Sequence, residues 1–117
     1  MNGASEKIHN AIVELNGVES RTHRFGGTEY RLGKREIGHT HGDHLVDIPF
    51  PLKIRNELVE KGEAKPHHIL PESGWVSLYI RKEDDVQNAI RLLKKSFDIA
   101  LEQKSKKWNA EKNFVIY

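Results

Sequence analysis

Apolar residues recur at helical spacing in three stretches of the chain. Residues 5–15 place Ile8, Ala11, Ile12 and Leu15 on one face, which predicts a short amphipathic helix that ends near Gly17. Residues 51–60 predict a middle helix that ends before a glycine. Residues 83–104 keep the same spacing over their whole length and predict a long C-terminal helix.

Between the first two helices the pattern changes to short extended runs. Gly26-Gly27 separates residues 18–25 from residues 28–32, which predicts a first pair of strands. Gly42-Asp43 suits a two-residue type II′ turn, which would pair His41 with His44. That register predicts one shared sheet face for Ile37, His39, His41, His44, Val46, Ile48 and Phe50.

The order of these elements predicts an α+β fold. Residues 65–70 and 75–81 form a further predicted hairpin, so we expect an antiparallel sheet of about five strands. The N-terminal, middle and long C-terminal helices are expected on one face of that sheet. The length of 117 residues suits a single domain over residues 1–117, whose tail, 105–117, is interpreted as an extra strand or a loose segment.

Composition narrows the possible chemistry. The chain has no cysteine, which excludes disulfides and thiolate zinc sites, but it has seven histidines. The net charge of +2 is too balanced to indicate nucleic-acid binding by itself. Because no long apolar run or signal peptide is visible, we expect a soluble, cytoplasmic protein without membrane contact.

The predicted hairpin around Gly42 would bring three imidazoles together. His39, His41 and His44 could hold a divalent ion such as zinc, with Asp43 as an oxygen donor or orienting partner. The competing interpretation makes these histidines the polar rim of a core face. A site for a small molecule or phosphate beside Arg35 is the third interpretation.

The second hairpin offers weaker candidates. Adjacent residues on a strand point to opposite faces, so at most one of His67 and His68 would join the first group. Trp75 and Tyr79 would lie on the same side as His68. This aromatic pair is expected to pack beneath the long helix, with a stacking platform for a base or sugar as the alternative.

Two blocks of sequence resemble the luciferase domain family of bacteria and fungi. They are residues 35–51, REIGHTHGDHLVDIPFP, and residues 66–77, PHHILPESGWVS, and the similarity extends over about residues 25–101. The resemblance implies a family and no particular activity, and no flavin or nucleotide signature is present. The family motif singles out His39, His41, Asp43, Asp47, His68 and Trp75.

The last third of the chain also resembles YjbR-type domains, which have a frataxin-like α+β layout and are sometimes proposed to bind DNA. The sequence therefore favours a small binding or accessory module with a histidine-lined site, whose partner is a small ligand or a protein. A metal- or histidine-dependent enzyme and a nucleic-acid-binding module are the alternatives.

Overall fold

The computed structural model describes residues 2–22 and 26–116, with side chains up to Lys107. Predicted extension of the first strand to Phe25 lies outside the described residues. The elements, in chain order, are α1 (Ala4–Ile12), β1 (Val18–Thr22), β2 (Thr28–Leu32), β3 (Arg35–His41), β4 (Leu45–Pro49), α2 (Leu52–Glu60), β5 (Lys65–Pro66), β6 (Trp75–Tyr79) and α3 (Glu83–Ile116).

The strands form one antiparallel sheet in the order β1-β2-β3-β4-β6-β5. The sheet has six strands where about five are expected, and the strand predicted over residues 65–70 is reduced to the two-residue β5 at the edge next to β6. The α+β class and the three helices are confirmed. Consecutive strands connect by hairpins, except where α2 separates β4 from the last pair.

One face of the sheet is apolar because the helices cover it. Residues from α1, α2, α3 and the sheet form a single core cluster, and Ser96 Oγ on α3 donates a hydrogen bond of 2.8 Å to the Ile37 carbonyl. At Gly38 a Cβ atom would lie 2.6 Å from Leu93 Cδ2, so the α3 side chain packs directly on the β3 backbone. The fully buried members include Ile8, Ile12, Tyr30, Val46, Ile48, Val76, Val86, Leu92 and Leu93.

The β3–β4 hairpin has a different register from the predicted one. Its loop contains three residues, so His41 pairs with Leu45, and His39 pairs with Asp47 rather than Val46. This shift by one residue exchanges the faces on which the β4 side chains lie. The prediction that His39, Val46 and Ile48 share a face is therefore wrong.

A β-bulge in β3 accounts for the position of Ile37. Tyr30 pairs with Gly38 and Arg31 pairs with Glu36, which leaves Ile37 as the extra residue. Ile37 is fully buried in the core, whereas Glu36 lies on the same side as His39, to which it is hydrogen-bonded. The strict alternation assumed from sequence fails at this bulge.

The C-terminal tail is helical up to Ile116, so the predicted extra strand does not form among the residues described. Residues 102–112 are mostly lysine, glutamate, glutamine and alanine, which favour helix once α3 has formed. Among the residues described, no helix has the combination of length and apolar character that crossing a membrane requires.

Candidate metal centre

Asp47 lies at the centre of the sheet face that the helices leave uncovered. Its neighbours along β4, Val46 and Ile48, belong to the core, so its own side chain points away from the helices. The ladder places His39 of β3 on one side of Asp47 and Ser77 of β6 on the other. Three adjacent strands thus present polar side chains at the same level of one face.

Four imidazoles surround a single oxygen of this carboxylate. Asp47 Oδ2 lies 2.9 Å from the Nε2 atom of His41 and 3.0 Å from that of His68. The corresponding distances are 3.3 Å for His67 and 3.4 Å for His39. The other oxygen, Oδ1, accepts a hydrogen bond of 2.7 Å from Ser77 Oγ. We call Asp47, its four histidines, Glu36 and Ser77 the Asp47 cluster.

Burial and hydrogen bonding have opposite effects on the charges of the cluster. Burial alone would raise the pKa of Asp47, but hydrogen bonds from His39, Ser77, His68 and His41 hold that pKa well below its usual range. Burial would likewise lower the pKa of His39, but bonds to Asp47 and Glu36 outweigh it and raise the pKa to about 9. Without a metal, an Asp47 carboxylate therefore faces a protonated His39 at neutral pH.

His67 and His68 both reach Asp47, which contradicts the expectation that at most one of them could. Strand β5 ends at Pro66, so the two histidines lie in a loop in which adjacent side chains need not alternate. Their ring centroids are 4.3 Å apart. The His68 backbone N–H donates to Ser77 Oγ at 3.3 Å, and this bond fastens the loop to β6.

The second ring nitrogens distinguish His39 from His67. Glu36 Oε2 accepts a hydrogen bond of 2.8 Å from His39 Nδ1, so a neutral His39 keeps its proton there and turns the lone pair of Nε2 towards Asp47. In contrast, His67 Nδ1 accepts hydrogen bonds from the backbone N–H groups of Ile69 and Leu70. A neutral His67 must then carry its proton on Nε2. Burial is the main influence on the pKa of His67, and it lowers that pKa.

Trp75 forms a wall of the Asp47 cluster. Its ring centroid is 5.3 Å from that of His39 and 6.0 Å from that of His67. Tyr79, two residues further along β6, lies on the same face and is exposed. The expectation that this aromatic pair packs beneath the long helix is wrong, because α3 covers the other face.

Three residues predicted for the site lie elsewhere. His44 is exposed in the hairpin loop and belongs to neither group of side chains close enough to share an ion. The Asp43 carboxylate accepts bonds from the backbone N–H groups of Gly3 and Ser5, which lowers its pKa and caps α1. Arg35 points towards α3, where its guanidinium donates to Gln103 Oε1.

The sequence-based candidates omit Glu36 and Ser77, and the strand assumption underrates His67. Glu36 is found only once the bulge at Ile37 turns it towards His39. Ser77 can be recognised as a site residue only when the strand register pairs it with Asp47. The useful signal in the sequence is Leu45-Val46-Asp47-Ile48, in which one acidic residue interrupts an apolar strand.

Two overlapping groups in the cluster have ligand atoms close enough to hold one ion. The first is His39, His41 and Asp47, and the second is Asp47, His67 and His68, with all ligand atoms of a group within 4.8 Å of one another. Imidazole nitrogen and carboxylate oxygen are ligands for zinc and for other first-row divalent ions. The arrangement therefore has the chemistry of a metal centre with nitrogen and oxygen ligands.

Comparisons with known proteins support one assignment. The model of the luciferase domain family matches residues 34–96, which include β3, β4, α2, β5, β6 and the first part of α3. The curated proteins and the solved structures provide no match. The matched residues contain the whole Asp47 cluster and more than half of the chain, and the protein belongs to the luciferase domain family.

Proposed function

We propose that this domain is a metal-binding module that holds one divalent ion of the zinc class in the Asp47 cluster. The observation that carries the proposal is the placement of four imidazole Nε2 atoms within 3.4 Å of one carboxylate oxygen. A single carboxylate oxygen has about two lone pairs with which to accept hydrogen bonds, and four convergent imidazoles exceed that number. A metal ion would use some of these additional imidazole nitrogens as ligands.

The spacing of the ligand atoms also supports a metal. Ligand atoms about 2.1 Å from a tetrahedral zinc ion lie about 3.4 Å from one another. Asp47 Oδ2 is 2.9 Å from His41 Nε2 and 3.4 Å from His39 Nε2, so these two distances are already close to the spacing of zinc-bound ligands. In the metal-free protein the proton of His39 supplies one of the two positive charges that the divalent ion would bring.

Among the two groups, His39, His41 and Asp47 are the better ligands. The Glu36 carboxylate fixes the His39 tautomer whose Nε2 can bind metal, an arrangement common around zinc. The two backbone bonds to His67 Nδ1 favour the opposite tautomer, in which Nε2 carries a proton. We therefore assign His67 as a hydrogen-bond donor to Asp47. His68 then lies beside the coordination position of the ion that His39, His41 and Asp47 leave open.

The donor set favours zinc and leaves ferrous iron as a second candidate. No cysteine is available to select a softer ion, and two histidines with one carboxylate also hold ferrous iron in many proteins. Zinc is the simplest probe because it is redox-inert. Anaerobic titration with ferrous iron compares the two ions at the same ligands.

Calorimetric titration of the metal-free protein with zinc tests the proposal. One ion should bind, and His39→Ala or Asp47→Asn should weaken binding at least about 100-fold, because loss of an outer-shell partner alone typically costs about 10- to 100-fold. His44→Ala removes an imidazole from the same hairpin outside the cluster and should leave the affinity unchanged. His67→Ala should weaken binding much less than His39→Ala.

Two results would reject this assignment. If zinc does not bind, or if Asp47→Asn binds as tightly as the unmodified protein, the cluster is a network of protons and hydrogen bonds only. If His67→Ala abolishes binding while His39→Ala retains it, the ion occupies the second group instead.

A metal-dependent enzyme remains the second candidate, and the uneven exposure of the cluster favours it. The side chains of His41 and His68 are 26% and 29% exposed, whereas that of His39 is 11% exposed. An ion on three protein ligands would then keep a position open towards solvent, as catalytic zinc sites do. Cobalt-substituted protein should change its visible spectrum when azide is added; an unchanged spectrum would indicate a closed, structural site.

A further inference from the structure

A groove on the helical side of the molecule is separate from the Asp47 cluster. It has a volume of about 320 Å³ and lies between the β2–β3 turn and the C-terminal part of α3. From the turn it is lined by Leu32, Gly33, Lys34 and Arg35, and from α3 by Ala100, Gln103, Lys104 and Lys107. None of these residues belongs to the Asp47 cluster.

The rim of the groove carries four cationic side chains. Lys34, Arg35, Lys104 and Lys107 come from two elements far apart in sequence, and none of the lining residues that the structure describes is acidic. Among the side chains described, none of the four is paired with a carboxylate. The guanidinium of Arg35 donates to the neutral amide oxygen of Gln103, which positions it without cancelling its charge.

The inner surface of the groove is apolar. Leu32 and Ala100 are 6% and 4% exposed and belong to the core cluster, so their remaining surface is at the base of the groove. A volume near 300 Å³ is at the lower end of the range for small-molecule sites. A ligand that fits both features has an anionic head and a short apolar group.

We propose that this groove binds a small amphiphilic anion, a phosphate or carboxylate that carries an apolar group. The planar fork of Arg35 suits a bidentate contact with such a head group, and the three lysines add positive charge around it. Leu32 and Ala100 receive the apolar part. The proposal is independent of the metal assignment, because the two sites share no residue.

Binding of octyl phosphate, measured by NMR titration of backbone amides at low salt, tests the proposal. Shifts should concentrate at Gly33, Lys34 and residues 100–107. Octyl glucoside, which has the same chain and no charge, and inorganic phosphate, which has the charge and no chain, should each bind at least about tenfold more weakly. These two arms separate the contributions of the head group and the apolar group.

Charge reversal supplies the matched comparison. Lys104→Glu should weaken octyl phosphate binding at least about tenfold, whereas Lys94→Glu makes the same change in charge on the same helix, outside the groove, and should have little effect. Both residues are exposed, so neither variant should prevent folding. Lys107→Glu provides a second variant with the same expectation as Lys104→Glu.

Three outcomes would overturn the proposal. Octyl glucoside could bind as well as octyl phosphate, which would make the groove a purely apolar surface. Lys94→Glu could weaken binding as much as Lys104→Glu, which would reduce the effect to net charge. A short single-stranded oligonucleotide could displace octyl phosphate and bind far more tightly, which would make a polyanion the ligand instead.

Discussion

The two faces of strands β3 and β4 differ in what they bury. Towards the helices, Gly38, Val46 and Ile48 meet apolar side chains of α3, and burial of apolar area stabilises the contact. On the other face, Asp47 is equally buried but carries a charge, which costs free energy unless it is compensated. Burial on the first face stabilises the fold. On the second face, the free-energy cost of burying the Asp47 charge must be compensated by a bound ligand or a proton.

The largest effect is expected on the apolar face. Leu93→Ala removes a fully buried side chain that packs on Gly38, and the cavity should lower the free energy of unfolding by about 2 to 5 kcal/mol. Urea unfolding of the metal-free protein measures it. The zinc affinity of the folded fraction should remain, because α3 does not contact the uncovered face. Loss of zinc binding in a folded Leu93→Ala protein would show that the two faces are not independent.

The uncovered face should respond to metal. Zinc that binds only the folded protein should raise its free energy of unfolding by about 2.7 kcal/mol when free zinc is about 100-fold above Kd. Asp47→Asn should lose this gain, and His44→Ala should keep it. Thermal unfolding with zinc and after chelation measures the difference. Equal stabilisation of all three proteins would place zinc outside the Asp47 cluster.

In the metal-free protein His39 should make stability depend on pH. Its pKa is raised from the usual 6.5 to about 9, so its contribution is fully present below about pH 6.5 and is lost as the pH rises through about 9. Imidazole NMR should give a His39 midpoint near the raised value. Glu36→Gln removes one of the two carboxylates and should bring the midpoint closer to 6.5. A wild-type midpoint at or below 6.5 would contradict the proposed charge balance.

The smallest effect is expected at the loop that connects the two strands. Asp43→Ala removes the carboxylate that caps α1, so the helix loses hydrogen bonds at Gly3 and Ser5. The pKa of Asp43 is lowered, so its contribution is present at neutral pH and is lost as the pH falls through that lowered value. Urea unfolding should show a deficit for the variant at neutral pH that disappears in strong acid. An unchanged zinc affinity would confirm that Asp43 is outside the site.

Much of the fold could be predicted because its signals are local. Helical spacing predicts α3 and the two shorter helices, Gly26-Gly27 indicates the break between β1 and β2, and Gly42 indicates the break between β3 and β4. The helical tail was missed because Phe114-Val115-Ile116 favours strand locally, whereas a helix already formed extends at little cost. The local preference for a strand is therefore misleading here, because the preceding helix determines the conformation of the tail.

The candidate site was predicted in part. His39, His41, Asp47, His68 and Trp75 do come together, although the predicted register placed Asp47 on the opposite face from His39. A two-residue turn and a three-residue loop differ by one position, and that difference decides the face of every residue on β4. The apolar residues Val46 and Ile48 indicate the correct register, because the predicted register would place these buried side chains on the same face as the ionisable His39 and His41.

Nitrogen NMR of the imidazole rings during a zinc titration tests the central claim most directly. The account predicts that the Nε2 signals of His39 and His41 move to metal-bound positions and that His39 Nδ1 stays protonated against Glu36. His67 should keep its proton on Nε2, and His44 should not change. Zinc-induced shifts confined to His44, or metal binding at His67 Nε2 with His39 unaffected, would contradict it.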